Sequence, residues 1–100
     1  MSLTIHTVPW YLSWKGLLFS KKPKPILFQT RWGIHTFGMK YPIDVVIVDK
    51  KNIVQKIKQG LRPNRFFFWN PCFDKVLELP SGTIEHLKIT LEGKLELQTL

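Results

Sequence analysis

The chain has one cysteine, Cys72. A lone thiol excludes an internal disulfide and a multi-cysteine metal site. Its six glycines are scattered, so no glycine-rich phosphate loop is present. No nucleophile-elbow sequence occurs, and Ser20 and Ser81 have no adjacent base. Long apolar runs are missing. Leu12 to Phe19 is short and is interrupted by Trp14, Lys15 and Gly16, which excludes a membrane-spanning helix there. The amino end lacks a basic region followed by an apolar run and a small-residue cleavage site, as a signal peptide requires. No internal repeat is visible. Carboxylates are scarce, with seven Asp and Glu against fifteen Lys and Arg. These absences predict a cytoplasmic protein with no cofactor.

What is present fits one small domain. One hundred residues, 44% of them apolar, are enough for one core. Thirteen aromatics include four Trp, and each buries a large area. The net charge of +8 is uneven. Residues 1 to 65 hold twelve Lys/Arg and two Asp, whereas residues 66 to 100 hold three Lys and five Asp/Glu. A basic surface attracts nucleic acid or anionic lipid, or simply stays solvated.

The strongest strand signal is Val45 to Val48, a β-branched run that packs well on a pleated surface. Four apolar residues in a row predict a strand buried on both faces. Pro42 stops a helix from entering. Gly38 divides residues 34–49 into two extended pieces. Asp49 to Asn52 is a polar turn, and Ile53 to Lys58 is the returning strand, with Ile53 and Ile57 on one face and Val54, Lys56 and Lys58 on the other. Leu3 to Val8, Ile26 to Phe28, Arg65 to Trp69, Phe73 to Leu79 and Leu95 to Gln98 supply further strands. Helical spacing at Trp10 to Phe19 predicts one or two turns, and Ser20 to Pro25 a loop. Ser81 or Thr83 is placed to cap a short helix through Leu87.

Three blocks carry a resemblance. They are Gly16-Leu-Leu-Phe19, then Ile34-His-Thr-Phe-Gly-Met-Lys-Tyr-Pro-Ile-Asp44, then Val76-Leu-Glu-Leu-Pro-Ser-Gly-Thr83. In this order the stretch from Trp14 to Leu97 resembles the bacterial and archaeal family catalogued as domain of unknown function 192. The resemblance implies a mainly β, β-rich α+β fold, with a small mixed, curved or barrel-like sheet of about six to seven strands and two short helices. It implies no activity. Where the family has Gly-Asp before the last strand, this chain has Gly93-Lys94, so a polar role of that aspartate is absent or moved.

Two groups of residues are candidates for function. His35, Asp44 and Glu78 lie in the matching blocks, and a His with two carboxylates suits acid–base or metal chemistry. Only the fold can bring them together, and no short-spaced ligand pair supports a metal. The structural alternative has Asp44 accepting backbone amides to fix the Gly38 to Pro42 corner, and Glu78 paired with a Lys or Arg. The second group is Arg65 to Trp69. In extended form Phe66 and Phe68 face one way, and Arg65, Phe67 and Trp69 the other. The rings fill a core, anchor a protein partner or a second copy, or stack bases while Arg62, Arg65, Lys56 and Lys58 meet phosphates. Cys72 is expected to be buried and inert, Met39 a core filler, and His6 and His86 surface or packing residues. The balance favours a non-catalytic binding or protein-interaction module. The alternatives are a small enzyme using His35 with Asp44 or Glu78, and an RNA or single-stranded DNA binder.

Overall fold

The computed structural model describes residues 2–7 and 25–99. The helical turns expected at 10–19 lie outside them, as does all of the expected 20–25 loop except Pro25. Among the described residues, eight strands and one short helix follow in chain order: β1 (Ser2–Thr7), β2 (Ile26–Gln29), β3 (Gly33–His35), β4 (Ile43–Val48), β5 (Val54–Leu61), β6 (Phe66–Phe68), β7 (Lys75–Pro80), α1 (Thr83–Leu87) and β8 (Glu96–Thr99). Six strands form one sheet in the order β5-β4-β7-β2-β1-β8, and β3 and β6 form a separate antiparallel pair. The large sheet is mixed, because β1 runs parallel to both β2 and β8.

The expected mainly β fold with a mixed sheet is found, but the sheet does not close into a barrel. Its edge strands, β5 and β8, approach near their starts, where Ile53 bridges Lys94 and Val54 exchanges backbone bonds with Glu92 and Gly93. Beyond that point β5 carries the exposed Lys56 and Lys58, and such an edge resists further pairing.

Every residue of β4 is buried, as the Val45 to Val48 run predicts. One face of the sheet packs Val46, Val48, Leu77 and Leu79 with Val54, Ile84 of α1, Ile89 and Leu95. The other packs Ile26, Ile43, Val45, Ile47 and Val76 with Leu61, Phe67 and Trp69. The segment containing α1 thus covers one side, and the β3–β6 pair covers the other.

β5 departs from simple alternation. Val48 pairs with Val54, but Ile47 pairs with Lys56, so Gln55 is an extra residue. This bulge reverses the side-chain phase. Val54 and Ile57 therefore share one face, where strict period two separates them. A second irregularity sets Gln59 and Gly60 against Asp44, and Gly60 takes φ 61. The strand expected to end near Lys58 thereby continues to Leu61.

Leu77 lies on β7 between β4 and β2 and is fully buried. Leu77→Ala is expected to lower unfolding free energy by about 2–5 kcal/mol in urea titrations. A loss below roughly 1 kcal/mol would show that β7 is not central to the core.

Candidate functional site

The β3–β6 pair is two-faced because opposed residues in an antiparallel ladder share a side. Ile34 pairs with Phe67, and both turn towards the core. Trp69 joins them and donates its indole N–H to the Phe73 carbonyl at 2.8 Å. On the outer side His35 opposes Phe66, and Gly33 opposes Phe68. A β-carbon at Gly33 would lie 2.5 Å from the Phe68 ring and 2.7 Å from the Phe67 carbonyl oxygen. Only glycine lets that ring lie over the strand.

The outer rings form a continuous row. His35 stacks on Phe37 with centroids 5.1 Å apart. Phe37 meets Phe66 edge-on at 4.9 Å, and Phe66 stacks with Phe68 at 5.7 Å. Phe66 is 59% exposed, Phe68 61%, and Phe37 44%. Trp32, 68% exposed, stands next to Gly33 at the Phe68 end. By contrast Phe67 is 9% exposed and Trp69 6%. The sequence named the latter two as candidate contact residues, whereas Phe66, Phe68, Phe37 and Trp32 are the rings that face solvent. The period-two split was visible in the sequence. Which side turned inward was not.

Thr36, almost fully buried, sets one end of this row. Its hydroxyl donates to the Arg62 carbonyl at 2.6 Å and accepts the Arg65 N–H at 2.9 Å. Its own N–H donates to the Arg65 carbonyl, and its carbonyl accepts the Asn64 N–H. The backbone at Arg62 and Arg65, both exposed residues, is thereby held against the chain between His35 and Phe37. At the other end Lys56 donates from Nζ to the Phe68 carbonyl at 2.7 Å and lies 5.0 Å from the Phe67 ring centroid. Residues 31–42 and 62–70 contain Arg31, Lys40, Arg62 and Arg65 but no Asp or Glu. Arg31 pairs with Asp74 at 3.7 Å.

His35, Asp44 and Glu78 do not come together. Asp44 opposes Leu79 on the α1 side of the sheet, and Glu78 opposes Val45 and Ile26 on the other side. His35 is exposed on the outer row, where its Nδ1 accepts the Phe37 N–H at 3.3 Å. Asp44 does accept backbone amides, but not from the Gly38 to Pro42 corner. One oxygen takes the Gly60 N–H at 2.9 Å. The other takes the Gly82 and Ile84 N–H groups at 3.0 and 2.9 Å. Gly82 is the N-cap of α1, in a left-handed conformation with no side-chain cap bond of its own. The expected capping by Ser81 or Thr83 is replaced by a carboxylate from a distant strand. A cleft of about 230 Å³ beside Asp44 is lined by Gln59, Gly60, Ser81, Gly82 and Glu85.

Glu78 is buried, and loss of hydration pushes its carboxyl up to about 8. Among the described residues no Lys or Arg pairs with it, contrary to the expected ion pair. Tyr41 is also raised, first by burial and then by the Glu78 charge. Cys72, expected to be buried, is exposed in the turn after Pro71. Its N–H donates to Asn70 Oδ1 at 2.9 Å, so the turn is set by polar contacts and not by packing of the thiol. It lines a cleft of about 450 Å³ with Arg31, Asp49, Lys50, Lys51 and Asp74. Asp49 is held below its ordinary pKa, first by the Ile53 amide. Among the described residues, no three His, Cys, Asp or Glu side chains group as metal ligands. No helix among them is long and apolar enough to cross a membrane.

The fold and its outer row of rings define a small mixed-sheet β protein with a solvent-facing aromatic strand pair. Residues 13–97 match the family DUF192, described as "Uncharacterized ACR", and the chain belongs to it. No curated protein matches the chain. Two solved structures share its fold. One is a "putative transcription regulator" from Sinorhizobium meliloti 1021, 15% identical, with a TM-score of 0.78 over 88% of this chain and 76% of that one. The other is a protein of unknown function from Novosphingobium aromaticivorans DSM 12444, 20% identical, with a TM-score of 0.73 over 93% of this chain and 71% of that one.

Two expectations follow for the carboxylates. Asp44→Ala orphans three backbone N–H groups, one of them on the buried Ile84. It is expected to cost about 2–4 kcal/mol in a denaturant melt, with Asp44→Asn recovering part. An unchanged midpoint would mean that water satisfies all three. For Glu78 the sign follows from the direction of its shift. A carboxyl raised by folding binds its proton more tightly in the folded state. Its contribution is therefore full below the ordinary value of 4.5 and is lost as pH rises towards about 8. Unfolding free energy is expected to fall across that window, by on the order of a few kcal/mol, and Glu78→Gln to remove most of the slope. A wild-type profile as flat as that of the variant would refute the assignment.

Proposed function

We propose that this protein is a non-catalytic binding module whose contact surface is the outer face of the β3–β6 pair. The observation that carries this reading is the unbroken row of His35, Phe37, Phe66 and Phe68, exposed on a strand pair whose inner side already fills the core. Water contact at such rings is unfavourable, and a contiguous exposed apolar patch marks an interaction surface. Arg65 belongs to this face as a flanking cation. Phe67 and Trp69 serve it from behind, by anchoring the strand that presents Phe66 and Phe68. His35 serves as the end ring of the row, and Asp44 and Glu78 act in the scaffold. The description of one structural neighbour as a "putative transcription regulator" is in keeping with a binding role and with no particular partner.

The test asks whether the outer rings are structural. Phe66→Ser and Phe68→Ser are expected to change unfolding free energy by less than about 1 kcal/mol, against about 3–5 kcal/mol for Phe67→Ala. A photo-crosslinking phenylalanine in place of Phe68 is expected to capture a partner in cells far more efficiently than one in place of Leu91, which is also exposed. Large destabilisation by the outer substitutions, or capture no better than at Leu91, would sink the reading.

A further inference from the structure

We infer that the occupant of this face is single-stranded nucleic acid, with bases stacking on the ring row and phosphates held by the flanking cations. The inference rests on the binding reading above and names its partner class.

Three observations favour that class. The first is charge. The chain carries +8, and the segments that build the outer face, 31–42 and 62–70, hold four cations and no carboxylate. The backbone at the exposed Arg62 and Arg65 is held at the His35 end by Thr36, and the Lys56 ammonium donates to a backbone carbonyl at the Phe68 end. A row of rings with cations at both ends complements a strand that has π-faces along its length and phosphates at its side. The second is area. Aromatic side chains bury about 150–250 Å² each, so at their exposures Trp32, Phe37, Phe66 and Phe68 offer about 500 Å². A stable protein interface takes about 800 Å² from each partner, whereas a few stacked bases need less. The third is the sheet edge. β5 ends the sheet and presents Lys56 and Lys58, which disfavours pairing with a second copy of this chain.

Spacing supports the same partner. Neighbouring centroids lie 4.9–5.7 Å apart on a paired backbone. Bases splayed from a single strand can lie against such a row, and every base has a π-face, so sequence preference is expected to be weak.

The experiment is a fluorescence-anisotropy titration of the full chain. The probes are labelled oligo-uridylate and oligo-thymidylate of about ten nucleotides, a duplex of the same length, and a poly-glutamate peptide of matched charge. The variants are Phe66→Leu with Phe68→Leu, which keep apolar volume and remove the rings, and Arg65→Ala. Binding of the single strands is expected to fall linearly with log salt, and Arg65→Ala to reduce the slope by roughly one. The double Leu variant, with its fold checked by its melting curve, is expected to weaken single-strand binding by at least about tenfold.

Four results would overturn the inference: no binding of any oligonucleotide, equal binding of poly-glutamate, equal binding of the duplex, or affinity unchanged in the Leu variant. A polypeptide crosslinked at position 68, with no nucleic acid, would overturn it too and leave the contact face standing. Failure of the contact face itself would show differently, as destabilisation by the outer serine variants or as capture no better than at Leu91.

Discussion

The fold depends on a carboxylate placed inside an otherwise apolar strand. Asp44 interrupts the run from Ile43 to Val48 and is as buried as its neighbours. An unpartnered charge there would be untenable. Three backbone N–H groups resolve it, and they belong to two different places in the chain. Gly60 lies in the bulged end of β5, and Gly82 and Ile84 open α1. One side chain thus sets the register at the end of the β4–β5 pair and fixes where the helix begins. It also explains the left-handed Gly82, since the loop must turn its amides inward to meet the carboxylate.

That arrangement frees the opposite face of the sheet for a different covering. The segment with α1 takes one side, so the β3–β6 pair is needed on the other. Ile34, Phe67 and Trp69 fill that side, together with partly buried Met39, Tyr41 and Phe73. Glu78 sits on the same side, where burial pushes its carboxyl up, and among the described residues no backbone amide meets it as amides meet Asp44. The two carboxylates lie one strand apart with opposite solutions to burial. One is surrounded by backbone donors. The other is held towards its neutral form.

Much of this was legible in the chain. Val45 to Val48 specifies a strand buried twice over, and Phe66-Phe67-Phe68-Trp69 specifies two faces by simple alternation. That Asp44 must accept amides followed from its apolar neighbours. Its partners were hidden because they lie 16, 38 and 40 residues away, and only topology joins them. The phase of β5 was misread because a bulge at Gln55 reverses parity with no mark stronger than a polar residue. Cys72 was expected inside on the general habit of free thiols, but a Pro71 turn carries it outward. For the aromatic strand, periodicity divides the rings into two sets without saying which set meets the core. Both sets are apolar, so hydropathy gives no vote. The partner strand decides it, through Gly33 opposite Phe68 and Ile34 opposite Phe67.

That last pairing shows how one three-residue strand can serve the core on one side and present rings to solvent on the other. Gly33 leaves room for the Phe68 ring on the outside, while Ile34 one residue on extends the core on the inside. The outer rings are consequently carried on a backbone whose position is set by buried neighbours and by the Thr36 contacts to Arg62 and Arg65. A surface held in this way loses little freedom when it is covered, which lowers the entropic cost of binding. The same contacts place the backbone of Arg62 and Arg65 at one end of the row, and Lys56 Nζ meets the Phe68 carbonyl at the other. Exposed rings alone would be an aggregation liability. Here they lie beside the exposed Arg62, Arg65 and Lys56, with no carboxylate in segments 31–42 and 62–70, and like charge of this kind opposes self-association.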